Sequence, residues 1–425
     1  MATRFIQLDT AIRRIGIIIT LVVCLAATFF FVKWCLANAI SVHADQPAIA
    51  ELGIALAPSD PQPHFSSGAL LEKTFIPQDI SKSLAEYEKA TALSPHNYLF
   101  WLALGKARER AGDREAAEKA LRRAVELAPN YAHVRWTLGN VLVRRGKSDE
   151  GFGEIRRAAE SDATFMAPAI ASAWQIFDGD IAAVKKAIGD SPQTSAALAV
   201  FLAKQKRFDE ALAAWNALPA EAKTTTFKQN GEALYNQLLT DKKYRSAVAL
   251  YPQVNPNAAE SFAVGRIDNG GFERDVKMRE AMAFEWQIAE GAQPQIILDN
   301  QQKRGGERSL LFVYNSPDGK NLRGAAQTVA VEAGKKYRFS AFYKSDLKTT
   351  ATLRWEITDI ADGKVLASTA AVAETADWTN LFAGFTAAAA TEAVAIRLVR
   401  DNCKFSICPI AGKVWFDDFD LAAGN

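Results

Sequence analysis

Two consecutive stretches of the chain, Tyr98–Asn130 (YLFWLALGKARERAGDREAAEKALRRAVELAPN) and Ala132–Ala163 (AHVRWTLGNVLVRRGKSDEGFGEIRRAAESDA), decide its architecture. Stacked with a period of 34, Leu104-Gly105 falls over Leu138-Gly139, Ala117 over Gly151, Leu121 over Ile155 and Ala124 over Ala158. Each stretch carries two apolar stripes at helical spacing, broken by a polar turn containing glycine (AGD, RGK). Small residues where two helices cross let their backbones approach, and large apolar residues fill the groove toward the next pair. Pro129, with no N–H and a restricted ring, punctuates the second helix.

This pattern resembles the tetratricopeptide repeat, with Trp101, Leu104, Gly105, Ala117, Leu121, Ala124 and Pro129 in its signature places. Arg108 departs from the usual aromatic or apolar residue. Upstream, SLAEYEKATALSPHN supplies the second helix of a preceding unit, with Tyr87, Ala90 and Pro95 in phase. Downstream, AALAVFLAKQKRFDEALAAWNALP and GEALYNQLLTDKKYRSAVALYPQV read as degenerate units. The resemblance implies an α-solenoid over residues 79–255 whose concave surface takes a peptide or protein partner. A rigid spacer is the plainer alternative.

Before the repeats, MATRFIQLDTAIRR is followed by IGIIITLVVCLAATFFFV. Ile15 to Val32 is an uncharged run of 18 residues, about 27 Å as a helix, near the hydrocarbon thickness of a bilayer. Arg4, Arg13 and Arg14 precede it, and a single Lys33 follows. Residues 1–40 therefore read as a cytoplasmic tail and signal anchor, with the rest extracytoplasmic, either periplasmic or at the cell surface. Ala37-Asn38-Ala39 also has the form of a signal-peptidase site, so secretion after cleavage near Ala39 is the alternative. Residues 41–78, with APSDPQPH, read as a proline-containing linker.

At about residue 252 the helical period stops at PQVNPN. Segments of period two follow: QTVAV, YRFSAFYKS, TLRWEITDI, TNLFAGFT, AVAIRLVR and KVWFDDFDL. They predict an antiparallel β-sandwich over 262–425, which makes the chain a multidomain α + β protein. Asn269–Glu273 (NGGFE), Trp286, Gly306–Leu310, Gln327, Ala333–Ser345, Trp378 and Val414–Leu421 give this region a resemblance to the jelly-roll carbohydrate-binding modules of xylanases and glucanases. The resemblance implies a structural calcium held by Glu273 and Asp418, with Asn269 and Asp417, against the alternative that these acids only make edge hydrogen bonds. It also implies a polysaccharide ligand. The candidates to hold it are Trp286, Tyr314, Tyr343 and Trp355, with Arg354 and Arg397. The alternation already favours a core position for Trp355 and Tyr343.

Composition sets limits. Of 425 residues, 49% are hydrophobic, and 50 basic against 48 acidic residues leave a net charge of +2, so no whole-chain field attracts nucleic acid. Cys403 and Cys408, five apart, predict a disulfide in an oxidising compartment. No phosphate loop, dinucleotide fingerprint or GxSxG turn is present, and the sandwich segment contains no histidine. The expectation is a membrane-anchored, non-catalytic scaffold that binds a glycan, a protein partner or both, in polysaccharide assembly or export. The alternative is a purely protein–protein scaffold. An enzyme would need a polar cleft where the repeats meet the sandwich.

Overall fold

The computed structural model describes residues 10–74, 76–256, 262–403 and 407–424. The start of the expected tail, with Arg4, lies outside the described residues, as do residues 404–406 of the cysteine loop. The chain divides into two compact units, Met1–Thr194 and Ser195–Asn425.

The first unit opens with α1 (Ala11–Val42), which is 32 residues long, with a mean hydropathy of 2.8 over its most apolar window. It is long and apolar enough to cross a membrane. The following residues correct the linker expectation, because they form α2 (Pro47–Leu56), α3 (Pro61–Glu72) and the start of α4 (Pro77–Leu93). Pro47, Pro61 and Pro77 each occupy the first turn of a helix, where the missing N–H would be unpaired anyway. Asp60 caps α3 by accepting from the Gln62 backbone N–H at 3.0 Å.

The quoted repeats form α5 (Tyr98–Arg110), α6 (Arg114–Leu127), α7 (Ala132–Arg144) and α8 (Ser148–Ser161), followed by α9 (Met166–Ile176) and α10 (Ile181–Ile188). Gly112 (φ 87°) and Gly146 (φ 80°) turn the chain inside successive pairs. Leu102, Leu121, Leu138 and Leu142 are buried together, with Ala117 and Ala124 at the crossings.

In the second unit α11 (Pro192–Lys204), which crosses the division, is followed by α12 (Phe208–Asn216), α13 (Ala220–Thr224), α14 (Lys228–Thr240) and α15 (Tyr244–Val254). Here Lys206 (φ 62°) and Lys242 (φ 56°) occupy left-handed turn positions that glycine fills in the regular repeats, one reason the repeat is hard to trace here. These helices cluster with the sandwich. Tyr251 packs against Phe262 at 5.1 Å between ring centroids, and Arg245 pairs with Glu392 at 2.7 Å. The compact boundary therefore differs from the expected break near residue 255.

The sandwich contains β1 (Gln287–Ile288), β2 (Gln295–Asp299), β3 (Ser309–Ser316), β4 (Ala325–Ala330), β5 (Lys336–Thr349), β6 (Leu353–Asp359), β7 (Val365–Ser368), β8 (Thr375–Thr386), β9 (Ala393–Arg400) and β10 (Ile410–Ala423). One sheet runs β1-β4-β9-β6-β7 and the other β2-β3-β10-β5-β8, with antiparallel pairing throughout the strand ladders. Between them Trp286, Trp355, Phe272, Phe416 and Phe419 form an aromatic core. A bulge in β10 between Asp417 and Asp420 shifts the register, so Phe416 and Phe419, three apart, both point inward. Cys403 and Cys408 form the expected disulfide.

Candidate functional site

In the first unit, the first helices of successive pairs are linked side by side. Glu72 at the end of α3 pairs with Arg110 of α5, and Glu109 of α5 with Arg144 of α7. The Tyr98 and Tyr131 rings approach to 4.8 Å, and those of Trp136 and Phe165 to 5.2 Å. Between these ties α5 presents Leu99 and Lys106, and α7 presents His133, Trp136 and Asn140 at i, i+3 and i+7, one face of a helix. Leu99 is 47% and Tyr131 56% exposed.

This surface carries one ammonium, one imidazole, one amide and several apolar groups. Desolvation, then the Lys106 ammonium, pushes the His133 imidazole below its usual value, so it is neutral at pH 7 and can accept or donate a hydrogen bond. The Asn140 amide donates to the Trp136 carbonyl at 2.8 Å, which leaves its oxygen available as an acceptor. Nearby, a cleft of about 350 Å³ is lined by Ala69, Glu72, Ile80, Ser83, Ala107 and Arg110. Mixed apolar and amide chemistry of this kind suits a peptide segment.

The aromatic residues expected to hold a sugar lie elsewhere. Trp286 (2% exposed), Tyr314 (3%), Tyr343 (4%) and Trp355 (0%) are all core side chains. They sit in the inward phase of their strands or pack under the opening segment, so none offers a ring face to a ligand. Burial raises the Tyr314 hydroxyl well above its ordinary pKa. Arg354 is bound to Asp401 at 2.5 Å and Arg397 to Glu356 at 3.0 Å, each in an ion pair.

Two aromatic residues of the sandwich that face outward are Phe342 and Phe382. Each lies in the polar phase of its strand, because Ala341 and Tyr343 in β5, and Leu381 and Ala383 in β8, point inward. Phe382 is 59% exposed. The Arg304 guanidinium lies 3.4 Å from the Phe342 ring centroid, and Arg338 lies 5.0 Å from that of Phe382. Their out-of-phase positions in YRFSAFYKS and TNLFAGFT were a signal available in the sequence.

The four proposed calcium ligands are occupied by protein donors. Asp417 is fully buried. It accepts from the backbone N–H groups of Arg304 (2.9 Å), Gly305 (3.1 Å) and Asp418 (2.8 Å). Burial raises its carboxyl pKa, and these three donors oppose the rise. Asp418 pairs with Arg304. Glu273 accepts from Glu307 (2.9 Å) and Arg308 (3.2 Å) backbone N–H groups. Asn269 is bound at both ends of its amide to Arg274 backbone atoms, at 2.8 and 2.9 Å. Among the described residues no three acidic, histidine or cysteine side chains converge as a metal site. The donor set as built does not fit a calcium ion, since Arg304 already neutralises Asp418. Thermal midpoints in EDTA and in millimolar calcium are expected to agree within about 1 °C. A calcium-dependent rise of several degrees would show that Arg304 yields its place to the ion.

Within the second unit a polar cleft of about 480 Å³ is lined by Lys206, Arg207, Phe208, Lys243, Arg245 and Glu392, among others. Arg207 pairs with Glu210, and Arg245 with Glu392. The Arg245–Glu392 pair spans the cleft, whereas Arg207–Glu210 lies within the first turn of α12.

Residues 69–185 match the family model described as the tetratricopeptide repeat, and that segment carries these repeats. No curated protein sequence matches the chain. Among solved structures the chain is similar to YrrB, a TPR protein with an unusual peptide-binding site: 20% identity, 40% of this chain and 81% of that chain, TM-score 0.29. It is also similar to a CBM4 structure, at 18% identity over 37% of this chain and 99% of that one, TM-score 0.29. A third similarity is to the Clostridium thermocellum xylanase 10B CBM22–GH10 modules in complex with xylohexaose, at 17% identity over 38% of this chain and 29% of that one, TM-score 0.27.

Proposed function

We propose that this protein is a membrane-anchored, non-catalytic scaffold whose repeats hold an extended segment of a partner protein. The observation that carries the reading is the face of α5 and α7 with exposed Leu99 and His133 and half-exposed Lys106, Trp136 and Asn140, between the Tyr98–Tyr131 ring contact and the Glu109–Arg144 ion pair. Tetratricopeptide repeats are generally protein-interaction modules, and an aromatic flanked by an amide and a cation is a usual anchor for a bound peptide. On this reading α1 crosses the membrane once with its N-terminus in the cytoplasm, and the remainder of the chain lies outside it.

The test is a photo-crosslinking amino acid placed in cells at Trp136, with a second at Gly153, whose surroundings are open within 4 Å. A discrete adduct from position 136 and none from position 153 is the expected result. Equal labelling at both positions, or none at either, would sink the proposal.

A second reading, a glycan bound to the sandwich, is favoured by one observation. Phe382 is exposed on the outer sheet face beside Arg338, an apolar ring with a guanidinium to bond hydroxyls. The full chain in nanodiscs is expected to retain a glycan on an array, and Phe382→Ala to lose it by tenfold or more, equivalent to about 1.4 kcal/mol. Absence of binding by the parent chain would leave the repeats as the sole binding element of the proposal.

A further inference from the structure

We propose that α2 is a membrane-interface helix, folded back along the protruding end of α1 so that its last turns, with Leu52, rest among lipid headgroups. The inference rests on the reading of α1 as a membrane-spanning helix. At 32 residues, α1 is about 48 Å long at 1.5 Å per residue, whereas the hydrocarbon core is about 30 Å thick. With Arg13 and Arg14 at one interface, the surplus length falls at the other end. There Lys33 and Trp34, the latter 51% exposed, mark the exit from the bilayer.

The protruding end is packed by protein. Ala37 and Ser41 of α1 are buried, as are Ala50 and Gly53 of α2. A Cβ at Gly53 would collide with Ser41 Oγ and lie 3.3 Å from the Ala37 carbonyl and 3.5 Å from Pro63 of α3. Gly53 is six residues past the start of α2, yet it still touches Ala37 and Ser41, so α2 runs back along α1 toward the bilayer. Its last turn then reaches the level of Trp34.

The surface that α2 turns away from α1 has the wrong polarity for water. Ile49 is 36% and Leu52 53% exposed, Ala48 and Ala55 are exposed, and Glu51 is the helix's single charge. By contrast α6 turns Glu115, Lys119, Arg123 and Glu126 to solvent. An apolar helix face continuous with a spanning helix and directed at the membrane surface is covered by lipid. Because α3 also packs on Gly53 through Pro63, the start of the repeat array would be held at a set height above the membrane, not on a free stalk.

The test uses the full chain with Cys24 and Cys35 replaced by serine and a single new cysteine carrying an environment-sensitive fluorophore. Positions are Leu52→Cys, Ile49→Cys, Leu25→Cys within the span, and Glu115→Cys on the repeats. Each is reconstituted in phosphatidylcholine–phosphatidylglycerol vesicles containing lipids brominated at shallow or deep positions. The 52 probe is expected to lose roughly half its emission to shallow bromines, the 49 probe distinctly less because it stands about 4–5 Å further from the bilayer, the 25 probe to lose emission to deep ones, and the 115 probe to neither. Deep quenching at 25 without shallow quenching at 52 would overturn the proposal and leave the anchor intact. No quenching at 25 would remove the anchor reading and this inference with it.

Discussion

Glu118→Gln is expected to destabilise the repeat array by about 2 kcal/mol, and the loss should vanish in acid. Glu118, 5% exposed, lies in α6 and gathers three cations. Lys147 donates at 2.8 and 3.0 Å, Arg122 donates at 2.9 Å from Nε and 2.8 Å from Nη2, and Arg145 completes the set. Arg145 and Lys147 belong to the turn of the next repeat, so one carboxylate ties two successive units together. Burial alone would raise its pKa, but hydrogen bonds from Lys147 and Arg122 and the charges of Arg122 and Arg145 hold it at about 2.

A folded-state value below the unfolded one gives stability that is complete above about pH 4.5 and lost as pH falls through about 2. A depression of that size corresponds to about 3 kcal/mol, reduced to about 2 by the water that reaches Arg122 and Lys147. Urea unfolding followed by circular dichroism, at pH 7 and again near pH 2, is the measurement. A difference below about 0.5 kcal/mol at pH 7 would mean that the cluster contributes nothing net.

Gly139→Val is expected to cost about 3 kcal/mol or more, and Gly153→Ala, only two residues along α8 from the same crossing, to gain about 0.5–1 kcal/mol. A Cβ at Gly139 would meet Ile155 Cγ1 at 2.7 Å, the Gly151 carbonyl at 2.8 Å and the Ile155 nitrogen at 3.1 Å. Gly151 is equally tight, 2.8 Å from the Gly139 carbonyl and 2.9 Å from the Val143 nitrogen. Backbone atoms form two of the three nearest contacts at each glycine, and they cannot move aside as a flexible side chain can. At Gly153 nothing lies within 4 Å, so alanine there only removes conformational freedom from the unfolded chain. Melting curves of the two variants should shift in opposite directions. A shift in the same direction would show that the α7–α8 crossing is not held by close backbone approach.

Much of this was legible. The 34-residue recurrence of Leu104-Gly105 over Leu138-Gly139 pointed to helix pairs because a packed crossing needs small residues at fixed helical offsets. The alternation in TLRWEITDI placed Trp355 in the core before any coordinates, and the five-residue spacing of Cys403 and Cys408 suited a bridge. Other features were misread for identifiable reasons. The prolines of APSDPQPH suit a linker over 41–78, yet proline is also favoured in the first turn of a helix, as Pro61 is in α3, and only its neighbours in space distinguish the two uses. Phe419 broke the alternation of VWFDDFDL because a bulge adds a residue to one strand without any local mark.

Local periodicity thus established the helices, the strands and the faces they bury, since each depends on residues a few positions apart. Long-range contact made the remaining assignments. It chose Phe382 over Trp286 as an outward ring and gave Glu118 its partners in the next repeat. It also filled the carboxylates near Arg304 with N–H donors, turned α2 back onto α1, and joined Arg245 to Glu392. Such pairings follow from crossing angles, strand registers and loop paths, which sum over the whole packed chain and leave no period in the sequence to read.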